Sequence, residues 1–186
     1  MTQAGQVRRA ADDPLESLAR RIEDARSRTL DWFTSMQAHG EPRGVMRISA
    51  HHDVDAWPGM LLPGSYNGIN ALSLLGDLDG WSGTDRLGLV DWFERARLPD
   101  GRFRIAGMVD ADVFKKPDRA ETWRYIDFHV TNYTLGAIAA LDPDRRPELA
   151  FAKPLLDPKE LGFWLSQRDL RDPWQEGNNI VNLGSF

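Results

Sequence analysis

Mostly apolar residues recur at alternating spacings of three and four along the first patterned stretch of the chain. They are Leu15, Leu18, Ile22, Ala25, Thr29, Trp32 and Met36. This spacing is typical of one face of an amphipathic helix. Asp13, Pro14 and Glu16 stand where an N-cap, a first-turn proline and a capping-box acid belong. His39-Gly40, with Pro42 just beyond, is typical of a helix end. The pattern therefore predicts a helix that starts near Pro14.

Related patterns predict five further helices. Two resemble the first: one runs from about Thr84 to Arg97, and one begins at Asp157-Pro158. The other three are richer in Gly, Ala and Asn, which is typical of helices that pack closely. They run over Tyr66–Leu75 with Ser65 as N-cap, over about 123–141, and onward from near Glu176.

Some of these stretches are similar to one another. Asp31-Trp32-Phe33 and Asp91-Trp92-Phe93 match, and each is followed by a short extended stretch, at 45–48 and 102–105; Phe163-Trp164-Leu165 is a looser third copy. Asn67-x-Ile69-Asn70 and Asn179-x-Val181-Asn182 also match, with Asn132 in a comparable place. Repetition of this kind predicts repeated helical hairpins, each an outer helix, a loop and an inner helix. We expect five aromatic residues of the outer helices to lie in the hairpin cores: Trp32, Phe33, Trp92, Phe93 and Trp164.

Composition narrows the class of protein. The chain has 186 residues, no cysteine and a net charge of −5, so disulfides, thiolate zinc sites and cysteine nucleophiles are excluded. The acidic balance argues against a nucleic-acid partner. No stretch reads as a signal peptide or a membrane span, so we expect no membrane partner and a cytoplasmic location. The sequence indicates no metal and no cofactor.

The expected organisation is a disordered tail at 1–12 and a hairpin-repeat domain at 13–186. The last pattern stops at Phe186 without a helix-ending signal. That predicts either a partial chain that lacks a C-terminal half or a last helix that docks on a partner, including by self-association.

Alternating outer and inner helices resemble the α/α toroid enzymes, which include six-hairpin glycosidases, polysaccharide lyases, sugar epimerases, terpene cyclases and protein prenyltransferases. The resemblance implies a mostly α fold forming an incomplete α/α toroid with short extended segments. It also implies a ligand site at one mouth, formed by long loops and the starts of inner helices. One stretch, Arg97-Leu98-Pro99-Asp100-Gly101-Arg102-Phe103, looks like the Gln-x-x-Asp-Gly-x-Trp repeat of triterpene cyclases, with Arg and Phe replacing Gln and Trp.

Three clusters carry candidate chemistry. The first is the loop His51-His52-Asp53-Val54-Asp55-Ala56-Trp57, in which imidazoles and carboxylates suit acid–base work. The second lies on one helix and comprises Tyr125, His129, Asn132 and Tyr133. The third is the start of the last helix, with Trp174, Glu176, Asn178 and Asn179. Each also has a structural interpretation: solvated turns, a core histidine and helix capping.

These clusters favour a carbohydrate-processing enzyme that binds a small molecule or oligosaccharide. Asn67, Asn132, Asn178 and Asn179 would bind hydroxyls, and Trp57 and Trp174 would stack on sugar rings. In a hydrolase, Asp53 or Asp55 would pair with Glu176 at about 5–10 Å. In a lyase, Asn132 would neutralise a substrate carboxylate while His129 and Tyr125 act as base and acid.

Two other functions stay open. A terpene-cyclase-like or prenyltransferase-like protein is suggested by the Asp-Gly stretch and by Asp53-Val54-Asp55. A non-catalytic helical-repeat binding module, or an inactive fragment, is suggested by the unfinished C-terminal pattern. The residues do not decide whether the chain is an enzyme.

Overall fold

A computed structural model of the chain describes residues 13–107 and 119–186, without the side chains of 119–125 and of 175. The expected tail at 1–12 lies outside the described residues. Within them the chain forms six α-helices: α1 Pro14–Met36, α2 Leu61–Leu74, α3 Gly83–Glu94, α4 Arg119–Leu141, α5 Pro158–Ser166 and α6 Pro173–Gly184. The prediction of a mostly α fold is confirmed.

The chain divides after Ser35 into two compact units. The first holds most of α1, whose apolar stripe is exposed at Leu15, Leu18, Ile22 and Trp32. The second unit, Met36–Phe186, holds the other five helices and the buried core.

The helix starts follow local chemistry in most cases. Asp13 accepts from the Leu15 N–H at 2.9 Å, and Asp157 accepts from the Lys159 N–H at 2.8 Å, so both predicted N-caps are confirmed. The prediction for Ser65 was wrong, because α2 starts four residues earlier. Ser65 is buried inside α2 and donates to the Leu61 carbonyl oxygen.

The core of the second unit is built around α4. Helices α2, α3 and α6 all pack against α4. Large side chains between these elements are fully buried, among them Ile69, Leu89, Phe93, Phe103 and Ile138. Arg86 of α3 donates to the carbonyl oxygens of Ala140 and Leu141, and so satisfies groups that the end of α4 leaves unpaired.

Each of the two predicted extended stretches forms one antiparallel bridge with a residue just after the preceding helix. Gln37 bridges Met46 after α1, and Arg97 bridges Phe103 after α3. The Met46 N–H then donates to Ser65 Oγ of α2, while the Phe103 N–H donates to Thr131 Oγ1 of α4, both at 2.9 Å. We call residues 36–47 with Ser65 the first clasp, and residues 96–104 with Thr131 the second clasp.

A glycine sits at the corresponding place in each clasp. Gly44 has φ +90° and Gly101 has φ +96°, a backbone conformation that disfavours side chains. A Cβ on Gly44 would meet Leu89 and Trp81, and one on Gly101 would overlap the carbonyl oxygen of Glu148. Both clasps therefore need glycine for conformation and for space.

The outer-helix aromatic residues do not share one environment. Phe93 and Trp164 are buried, but Trp32 and Phe163 are exposed. Trp92 is half-buried and donates its indole N–H to Glu41 at 3.0 Å. The expectation that Trp32, Phe33, Trp92, Phe93 and Trp164 all fill hairpin cores is wrong for Trp32.

Candidate functional site

The loop at 51–57 is held by its own hydrogen bonds. His52 Nε2 lies 2.9 Å from the Trp57 carbonyl oxygen, and Asp53 Oδ1 accepts from the Ala56 N–H at 3.1 Å. Asp55 and the Trp57 side chain are exposed. The Asp53 carboxylate therefore stabilises a turn, which is the structural role that short acidic side chains commonly take in loops.

The polar face of α4 holds a compact group of rings. His129 and Tyr133 lie one turn apart, with ring centroids 4.5 Å from each other. Tyr66 of α2 reaches the same place, 5.7 Å from the Tyr133 ring. His129 is half-buried, Tyr66 is buried and Tyr133 is exposed. We call these three residues the ring cluster; it joins an imidazole to a solvent-accessible phenol.

Burial controls the charge of the imidazole. Loss of hydration lowers the pKa of His129 below its usual value, because the charged form is the one that water stabilises most. His129 is therefore neutral at pH 7. A neutral imidazole is a proton acceptor, so this side chain has the protonation state that a general base requires.

Asparagine side chains connect the three helices around the ring cluster. Asn70 of α2 donates to the Tyr133 carbonyl oxygen at 3.1 Å, and Asn132 of α4 donates to Asn182 Oδ1 of α6 at 3.0 Å. Asn182 is buried, and Asn132 is half-buried. These amides join α2 and α6 to α4, and Asn70 does so at Tyr133 of the ring cluster.

The start of α6 is occupied by a buried ion pair. Glu176 accepts from Arg168 at 3.2 Å, and the side chains of the pair are 8% and 2% exposed. Asn179 is buried and donates to the same carboxylate at 3.3 Å, while the Arg168 guanidinium lies over the Trp164 ring at 4.5 Å. Glu176 is therefore held by Arg168, which lies two residues after the end of α5.

The remaining predicted binding residues lie apart from this ion pair. Trp174 is exposed, and Asn178 is half-buried with its amide donating to the Trp174 carbonyl oxygen. Asn67 is exposed on α2. The side chain of Tyr125 lies outside the described residues. Of the predicted residues, the structure thus links His129 with Tyr133 by ring contact. It links Asn179 with Glu176, and Asn178 with the Trp174 carbonyl oxygen, by hydrogen bonds.

A second charged cluster lies outside the three clusters that the sequence predicted. Asp127 of α4 is buried and accepts from Arg102 at 2.6 Å and from Arg104 Nε at 3.0 Å. Arg102 also holds Asp100, and this hydrogen bond lowers the pKa of the Asp100 carboxyl. Residues 102–105 alternate charged and apolar, so the period-two pattern could have predicted that both arginines share one face.

The part of the chain that the structure describes contains no group of three metal-ligating side chains. Among the helices of that part, none is both long enough and apolar enough to cross a membrane. No protein-family profile, curated protein or solved structure matches the chain.

Proposed function

We propose that this chain is a helical-hairpin protein of the α/α toroid type that acts on an acidic carbohydrate by β-elimination. The observation that carries the proposal is the ring cluster: a neutral, half-buried His129 packed on the exposed Tyr133. Removing a proton from the carbon next to a carboxylate needs a general base, a general acid and a group that binds the carboxylate. A neutral imidazole, an accessible phenol and a nearby amide can fill these three roles.

Two features support the toroid architecture. Helices α2 and α6, which would be inner helices, both pack on α4, the third inner helix. The two clasps join an outer helix, an extended stretch and an inner helix by the same bonds, with Ser65 and Thr131 in equivalent roles. Because the two clasps of this one chain share the same geometry, a repeated hairpin is favoured over three unrelated helix pairs.

In the proposed reaction the His129 ring accepts one proton and the Tyr133 ring donates another. His129 takes the proton from the carbon next to the uronate carboxyl group, and the electron pair forms the carbon–carbon double bond. The bond to the glycosidic oxygen breaks, and Tyr133 gives its phenolic proton to that oxygen. Asn132 has a second amide hydrogen besides the one given to Asn182, and it would bond the substrate carboxylate.

The hydrolase version has less support. A general acid for glycoside hydrolysis must reach the glycosidic oxygen, and the Glu176 carboxylate is held by Arg168 within a buried pair. Asp53, the suggested partner carboxylate, is bonded to its own loop. The terpene-cyclase alternative also has less support, because Arg102 and Phe103 of the Asp-Gly stretch hold that stretch onto α4.

The test is a screen of uronate-containing polysaccharides against neutral ones. We expect the ultraviolet absorbance of an unsaturated uronate to appear only with the acidic polymers. His129→Ala and Tyr133→Phe should lower the rate by about a hundredfold or more, while His51→Ala, in the exposed loop, should not change it. Circular dichroism on each variant checks that folding is intact.

A rate that His129→Ala leaves unchanged would overturn the role of the ring cluster. Binding of the acidic polymers without any elimination, equally reduced by Tyr133→Phe, would instead identify the non-catalytic binding module. The pH profile gives a further check. Because burial lowers the pKa of His129, activity should persist below about pH 6.5 and fall only at more acidic pH.

A further inference from the structure

The C-terminal part of the second unit has an apolar groove. It has a volume of about 560 Å³ and lies between α5, α6 and the stretch that precedes α5. Its lining includes Leu149, Leu155, Leu161, Leu165, Ile180 and Leu183. Lys153 is a charged lining residue, and its ammonium group is paired with Glu148. Leu156 on the groove is 82% exposed.

Helix α1 carries an exposed apolar stripe. Leu15, Leu18 and Ile22 are 74%, 49% and 60% exposed. They stand at i, i+3 and i+7, the positions by which an amphipathic helix anchors in a hydrophobic groove. One helix of this chain thus offers apolar side chains to match the apolar lining of the groove.

We propose that two copies of the chain form a dimer in which α1 of each copy lies in the apolar groove of the other. Each chain carries one stripe and one groove, so reciprocal exchange covers both and closes the assembly with two-fold symmetry. The dimer does not depend on the proposed carbohydrate chemistry, since the groove lining includes no residue of the ring cluster.

Charge explains why α1 pairs with a groove and not with another α1. In a coiled coil of two α1 helices, the positions flanking the stripe would hold Arg21, Arg26 and Arg28. Arginines would then face arginines across the seam, which disfavours self-pairing. The groove presents an apolar lining to the stripe, and its lysine is neutralised by Glu148.

α1 has 23 residues, and its segment from Leu15 to Ile22 spans two turns, about 11 Å. A standard stable interface covers on the order of 1,600 Å² in total, so each of the two contacts has to cover on the order of 800 Å².

The experiment is sedimentation velocity on the full chain over about a hundredfold range of concentration. We expect the wild type to sediment as a dimer. Leu18→Glu in the stripe and Ile180→Glu in the groove should each weaken dimerisation by about a hundredfold or more, because each substitution damages both contacts. Leu74→Glu is the matched control, since Leu74 is 90% exposed outside both surfaces.

Mixing the two variants separates this arrangement from other dimers. The Leu18→Glu copy keeps its groove and the Ile180→Glu copy keeps its stripe, so an equimolar mixture should recover a heterodimer with one intact contact. Neither a stripe–stripe nor a groove–groove dimer could be rescued in this way. A wild type that is monomeric throughout, a dimer that Leu18→Glu leaves unchanged, or a mixture without heterodimer would each overturn the proposal.

Discussion

Asp127 is the buried charge on which the second clasp depends. Its carboxylate is 1% exposed and accepts from Arg102 and Arg104, which are 28% and 37% exposed. Through these bonds the extended stretch is held along α4, one turn before the bond from the Phe103 N–H to Thr131. Asp127→Asn keeps the shape of the side chain and removes its charge.

The expected cost can be worked from this geometry. Removing one partner of a fully buried ion pair costs about 3–5 kcal/mol. Both arginines here are partly exposed and can regain water when the carboxylate is lost, so the penalty of a stranded buried charge is reduced. Weakening two charge-assisted hydrogen bonds, each worth about 1.5–3 kcal/mol, remains. We expect Asp127→Asn to lower the free energy of unfolding by about 2–3 kcal/mol.

The first clasp suggests a double substitution that should restore the stability lost at Asp127. Leu61 lies four residues before Ser65, as Asp127 lies four before Thr131, and Val45 precedes Met46, as Arg102 precedes Phe103. The first clasp therefore has apolar residues where the second has an ion pair. Because well-packed apolar residues can replace a buried pair at little cost, Asp127→Leu with Arg102→Val should regain stability to within about 1 kcal/mol of the wild type.

Urea denaturation followed by circular dichroism measures both effects on the second unit. Asp127→Leu alone, which leaves Arg102 facing an apolar side chain, should be less stable than the double variant. A loss below about 0.5 kcal/mol for Asp127→Asn, or a double variant no more stable than Asp127→Leu, would refute the reasoning.

Three further predictions concern single positions. Ser65→Ala removes the acceptor of the buried Met46 N–H and should cost about 1–3 kcal/mol in denaturant unfolding; an unchanged midpoint would contradict it. Gly101→Ala should cost more than about 2 kcal/mol, because its Cβ would overlap a carbonyl oxygen, while Gly76→Ala, also at positive φ but with open space, should cost about 1 kcal/mol. Because burial lowers the pKa of His129, the unfolded chain binds this proton more readily, so stability should fall as the pH decreases through about 6.5 and level off below the folded pKa. His129→Gln should flatten that part of the curve of stability against pH, and an unchanged curve would count against the assignment.

Local patterns predicted the helices well because helix formation depends on near neighbours. Asp13 and Asp157 cap their own helices, and the three–four spacing marks α1 without reference to the rest of the chain. Ser65 was misread for the same reason. A serine before an apolar run suits an N-cap, but its hydroxyl is used across the fold by Met46, a contact that no local pattern contains.

The candidate site was only partly predictable. His129 and Tyr133 share a helix face, which spacing along the sequence reveals. The approach of Tyr66 from α2, and the pairing of Glu176 with Arg168, depend on how helices pack. Asp127 gave no signal of its own, because a single acid in a helix is most often at the surface.

The amino-acid sequence by itself determined the mostly helical character of the chain, the starts of α1 and α5 and the similarity of the two extended stretches, since these follow from propensity, capping and periodicity within a few residues. Tertiary structure decided which polar side chains are buried and which residues they contact. Asp127 contacts two arginines, Glu176 contacts Arg168, and His129 contacts Tyr133. The reason is physical. Burial removes water from a polar group, and its charge, its hydrogen bonds and its chemistry are then set by partners that lie close in space, whatever their distance along the chain.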